Sequence, residues 1–171
     1  MTTGQNLILI GMPGAGKSTV GVLLAKALSR DFVDTDVLIQ AAESRRLQEI
    51  IDSDGLDAFL ALEERHVLAL ELHGAVIATG GSVVYSDPAM THLKRHGQVV
   101  YLKLPLPDLE ARITDMDSRG VVIAPWQNLA DLYHERLPLY EAFADITIDS
   151  AGLNQNQIVT RISSMTDAQE S

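Results

Sequence analysis

The chain has 171 residues, 46% of them apolar, and a formal net charge of −10. With a mean hydropathy of +0.09, it has the composition of an ordinary globular domain, and a single domain over residues 1–171 is expected. The acidic balance excludes a nucleic-acid footprint, which needs clustered Lys and Arg, and the lack of cysteine excludes disulfides and thiolate metal sites. No basic segment leads into a long apolar run, so neither a signal peptide nor a membrane span is expected, and cytoplasm is the default location.

In chain order, residues 6–10 read as a buried strand. Next comes Gly11-Met12-Pro13-Gly14-Ala15-Gly16-Lys17-Ser18, a match to the phosphate-cradling pattern G-x-x-x-x-G-K-[ST]. Val20, Leu23, Leu24, Ala27 and Leu28 then fall at helical spacing. Residues 32–36 form a short strand ending in two carboxylates, with a helix starting at Asp36. A short amphipathic piece over 47–51 is broken at 52–55, and one longer helix is predicted over 56–72. Residues 75–79 form a buried strand closed by Gly80-Gly81-Ser82. A helix follows over 88–96, with Asp87 as its cap and Pro88 at its first position. The remaining elements are a strand over 98–104, helices over 106–113 and 126–143, a strand over 145–148 and a helix over 154–165. The segment 114–125 reads as a mobile connection, and the tail from Thr166 as frayed. Strands alternating with helices imply a parallel sheet covered on both faces, with ligands at the carboxyl ends of the strands.

The chemistry follows from the residue types. Gly14 and Gly16 let backbone N–H groups face a phosphate at a helix amino terminus. Lys17 would reach the β- and γ-phosphates, and the Ser18 hydroxyl would hold Mg²⁺. Asp34 and Asp36, two apart on a strand, would face the same side, one ordering the water shell of the metal and the other accepting a proton. Gly80 and Gly81 permit close backbone approach to a ligand. Arg112 and Arg119 flank or lie on the mobile connection, where an arginine offsets charge developing in phosphoryl transfer. The five histidines show no metal-ligand spacing and are expected at the surface.

Taken in order, GMPGAGKST at 11–19, FVDTD at 32–36, FLALE at 59–63, IATGGS at 77–82, the arginine-bearing connection and ERLPLYEAFAD at 135–145 closely resemble the shikimate kinase family. The resemblance covers nearly the whole chain. It implies an α/β P-loop kinase, three-layer α/β/α, with a five-stranded parallel sheet and a mobile lid at about 114–125. It implies that Gly14, Ala15, Gly16, Lys17, Ser18 and Thr19 hold the phosphates of ATP, with Arg112 and Arg119 also on the nucleotide. Ser18 and Asp34 would serve Mg²⁺, and Lys17, Asp36 and Arg119 would be catalytic. Asp36, Leu60, Glu63, Gly80, Gly81, Ser82 and Arg136 would form the acceptor site, Arg136 pairing with a carboxylate.

Three places depart from the family pattern. Leu60 stands where the family has an arginine, Ser82 replaces the third glycine of a triplet, and Arg119-Gly120-Val121-Val122 replaces Arg-Pro-Leu-Leu. The expected activity is ATP-dependent phosphorylation of a small carboxylated alcohol, shikimate to shikimate 3-phosphate. The alternative acceptor is a hydroxy amino acid, homoserine, whose ammonium would face Asp36 or Glu63. A further alternative keeps shikimate and lets Arg65 replace the missing arginine. A catalytically silent nucleotide binder is a third reading. The expected partner is a small molecule, with no nucleic acid and no membrane, and the chain is expected to act as a monomer.

Overall fold

In the computed structural model, which describes residues 4–113 and 127–167, five strands pair entirely in parallel. They are β1 (Asn6–Ile10), β2 (Phe32–Asp34), β3 (Val76–Ala78), β4 (Gly97–Lys103) and β5 (Ile146–Asp149). Their order in the sheet is β2-β3-β1-β4-β5. Ile8 sits opposite Ile77 on one side and Val99 on the other. Parallel neighbours need crossover connections, and helices supply them. α1 (Lys17–Leu28) follows β1, while α2 (Thr35–Glu43), α3 (Leu47–Asp54) and α4 (Leu56–Leu68) lie between β2 and β3. A 3-10 turn (Val83–Tyr85) and α5 (Asp87–His96) lead to β4, α6 (Leu106–Arg112) and α7 (Leu129–Phe143) to β5, and α8 (Gln155–Asp167) closes the order. The result is the expected three-layer α/β/α fold.

Helices on both faces explain why β1 is apolar without alternation, with Leu7 to Ile10 all buried. The sheet centres one large core. A second cluster of Ile39, Leu47, Ile50 and Phe59 ties α2, α3 and α4 into a satellite, against which Leu56, Leu60 and Leu62 pack. At β1 the sheet order reverses, which opens a crevice beyond the carboxyl ends of β1, β2 and β3. The Thr79 hydroxyl, just past β3, donates to the Leu9 carbonyl in β1 at 2.9 Å, close to where the glycine loop begins.

Several boundaries differ from the sequence reading for local reasons. β2 stops at Asp34 and α2 already begins at Thr35, because the Asp34 side chain caps that helix. α5 is capped by the Ser86 hydroxyl accepting from the Ala89 N–H at 3.0 Å, and Asp87 lies inside it. α4 ends at Leu68, four positions short of the periodicity limit, and α7 starts at Leu129 with Asn128 as its cap. Residues 154–165 extend as α8 to Asp167. The 3-10 turn has no counterpart in the periodicity. The lid expectation at 114–125, with Arg119, lies outside the described residues.

Candidate functional site

The glycine loop works through backbone conformation. Gly14 and Gly16 have φ of 83° and 92°, where a side chain would be strained, and Gly16 caps α1. That places Lys17 at the first position of the helix, buried, with Nζ donating to the carbonyls of Gly11 at 2.8 Å and Met12 at 2.9 Å. Burial lowers its pKa to about 8, opposed by the nearby Asp36 carboxylate. An ammonium has three donors, so one remains for an anion. Ala15 is buried in the core, so only its backbone can serve a ligand. Ser18 and Thr19 line the cavity beside the loop. Arg112, at the end of α6, brings Nη1 to 3.9 Å from the place a Cβ on Gly16 would occupy.

Asp34 bridges two segments. Its Oδ2 accepts from the Ser18 hydroxyl at 2.5 Å, and its Oδ1 accepts from the N–H groups of Asp36 at 3.0 Å and Val37 at 3.3 Å. The strand argument for Asp36 is therefore corrected: Asp36 lies in the first turn of α2, and the cap made by Asp34 sets its position. Burial raises the Asp36 pKa to about 6, with the Asp34 charge adding and Lys17 opposing.

The opposite wall is built from contacts between distant segments. A Cβ on Gly80 would stand 2.5 Å from Glu63 Oε1 and 2.7 Å from Asp36 Oδ1. On Gly81 it would stand 2.8 Å from Arg136 Nη1 and 3.0 Å from the Pro13 ring. Space, rather than an unusual φ, is why glycine stands at both. The Gly80 N–H is itself taken up by the Thr35 hydroxyl at 3.1 Å. Ser82 donates its hydroxyl to Glu63 Oε2 at 2.6 Å. Glu63 is 2% exposed, and burial raises its pKa to about 7, with the Ser82 hydrogen bond working the other way. Its Oε1 accepts no hydrogen bond among the described residues.

Arg136 is 1% exposed. Its Nε donates to the Tyr85 hydroxyl at 3.1 Å, and its guanidinium carbon lies 5.1 Å from the Tyr85 ring centroid. One turn along α7, Tyr140 donates to the Gly81 carbonyl at 2.7 Å, which locks the glycine pair against the helix. Neither tyrosine was singled out from sequence. For Tyr140 the available signal was its i, i+4 spacing from Arg136; for Tyr85 there was none.

These groups surround a cavity of about 620 Å³. Lys17, Asp36, Phe59, Gly80, Gly81, Ser82 and Arg136 line it, while Asp34 and Glu63 stand behind its wall. Leu60 does not line it: its side chain packs on the satellite cluster. Arg65 is exposed and paired with Glu43 at 3.2 Å, so it replaces nothing in the cavity. Arg46, just ahead of the buried Leu47, does line the cavity and was missed. Its only signal in the sequence was a cation abutting a satellite anchor.

A family model described as shikimate kinase matches residues 13–167. The chain belongs to the shikimate kinase family. It is 37% identical to shikimate kinase of Pasteurella multocida, with 98% of each chain covered, and 36% identical to that of Haemophilus influenzae, with 96% of each covered. Shikimate kinase from Acinetobacter baumannii, solved in complex with shikimate, is similar at a TM-score of 0.89 and 30% identity, over 98% of this chain and 95% of that one. Shikimate kinases are ATP-dependent enzymes that phosphorylate a hydroxyl, and this chain is such a kinase rather than a silent nucleotide binder. No helix among the described residues is long and apolar enough to cross a membrane.

Proposed function

We propose that the chain phosphorylates shikimate, moving the γ-phosphoryl group of ATP to a ring hydroxyl and forming shikimate 3-phosphate. One observation carries this: Lys17, Asp36 and Arg136 open on a single cavity, with Asp36 poised near pH 6. Asp36 accepts the proton as the hydroxyl oxygen attacks phosphorus and the bond to the β-phosphate oxygen breaks, releasing ADP. Lys17 and Arg119 stabilise charge on the transferring group, with Arg112 beside the phosphates, while Arg136 holds the acceptor carboxylate. Glu63, through Ser82, and the Gly80–Gly81 pair keep the acceptor wall in shape.

Ser18 and Asp34 fit Mg²⁺: a hydroxyl and a carboxylate oxygen 2.5 Å apart are hard donors for an ion that keeps most of its water. When bound with the nucleotide, Mg²⁺ neutralises charge on the phosphate oxygens.

The relatives' names support shikimate over homoserine. The proposed enzyme acts as a monomer in the cytoplasm, where ATP is at hand. ADP release measured over a panel of hydroxy acids and hydroxy amino acids tests the reading. Turnover of shikimate without homoserine is expected, and the reverse overturns it.

A further inference from the structure

An acceptor carboxylate in this cavity meets a binding problem. The chain has only 13 Lys and Arg against 23 Asp and Glu, so cations at an anion site are scarce. Leu60 brings no charge and packs away from the lining. Among the described residues two arginines line the cavity, the buried Arg136 and the exposed Arg46. Arg45, next in sequence, is tied to Asp54 at 2.7 Å, and Arg65 to Glu43.

The surroundings leave the Arg46 guanidinium available. Glu43 pairs with Arg65 and His66, and of the two acids that line the same cavity Glu49 accepts the Arg46 backbone N–H at 2.9 Å and Asp52 accepts from the Gln48 amide at 2.7 Å. Among the described residues no carboxylate forms an ion pair with it. Its backbone is nevertheless held, because Leu47 is 5% exposed in the satellite core and the Glu49 contact fixes the start of α3. A long, exposed cationic side chain on a fixed stem, lining the same cavity as the buried Arg136, is built to meet an anion from solvent.

We propose that Arg46 is a specificity-determining residue that binds the acceptor carboxylate together with Arg136, in the electrostatic role that Leu60 cannot fill. This rests on the acceptor being a carboxylic acid, as in the proposed function. Charge-assisted hydrogen bonds of this kind are worth roughly tenfold to a hundredfold in affinity.

The test compares shikimate with its uncharged primary amide in wild type, Arg46→Gln and Arg46→Lys. In Arg46→Gln the KM for shikimate should rise roughly tenfold to a hundredfold, with the KM for the amide and for ATP near wild type. Arg46→Lys should restore part of the preference for the acid. A merely structural role would weaken acid and amide alike, and that result, or no change with shikimate, overturns the proposal. If wild type turns over a different carboxylated alcohol and not shikimate, the acceptor assignment falls, and the same acid-to-amide comparison on that alcohol still decides Arg46.

Discussion

On the proposed nucleotide side of the cavity, Gly14, Gly16, Lys17 and Ser18 lie within residues 14–18, and local backbone conformation places them. On the acceptor side, Asp36, Glu63, the Gly80–Gly81 pair and Arg136 come from four separate segments, and only tertiary packing brings them together. The difference teaches where such an enzyme can change. Altering one residue of the loop breaks a geometry its neighbours share, whereas the acceptor wall can lose one contact and gain another. Ser82 illustrates the second case, since its hydroxyl directly engages the buried Glu63.

The loop depends most on Lys17. Lys17→Ala should lower ADP release by roughly a thousandfold, because the buried ammonium ties the loop and is the proposed phosphate ligand. Retained turnover would remove the loop from the mechanism. Next in size, Asp36→Asn should lower kcat by roughly 10²–10⁴, the contribution of a general base, with little change in the KM for ATP. Equal losses in both would place Asp36 on the nucleotide side instead.

A smaller effect separates the two walls. Gly81→Ala drives a Cβ to 2.8 Å from Arg136 Nη1, so the KM for the acceptor should rise about tenfold, or about 1.4 kcal/mol, with ATP affinity less affected. The pH profile is sharper still in its assignment. Activity should fall as pH drops through about 6, where Asp36 takes up a proton, and kcat/KM measured against pH should show that limb.

A separate effect is on stability. The Glu63 pKa is raised from its ordinary 4.5 to about 7 in the fold, so its favourable contribution is present below 4.5 and is lost as pH rises through about 7. Glu63→Gln should remove that slope. Its urea midpoint should gain on wild type over that interval, and a constant gap would show that Glu63 is not buried as a titrating group.

Much of the nucleotide half was legible because its determinants are contiguous: a strand, a glycine pattern and a helix each leave a local signature. The acceptor half was legible only as separate residues. Asp34 and Asp36 were rightly paired but for a reason that fails, since the Asp34 cap ends the strand before alternation could act. Tyr85 left no pattern and Arg46 only its place beside Leu47, because each matters through a partner or a cavity far away along the chain.

By itself, then, the sequence determined the parallel α/β fold, the phosphate loop and the family, since periodicity and short-range spacing encode them. The tertiary structure decided which cations and carboxylates share the acceptor cavity. It took Leu60 and Arg65 out and brought Arg46 in, because side-chain reach across a cavity depends on how the satellite helices pack.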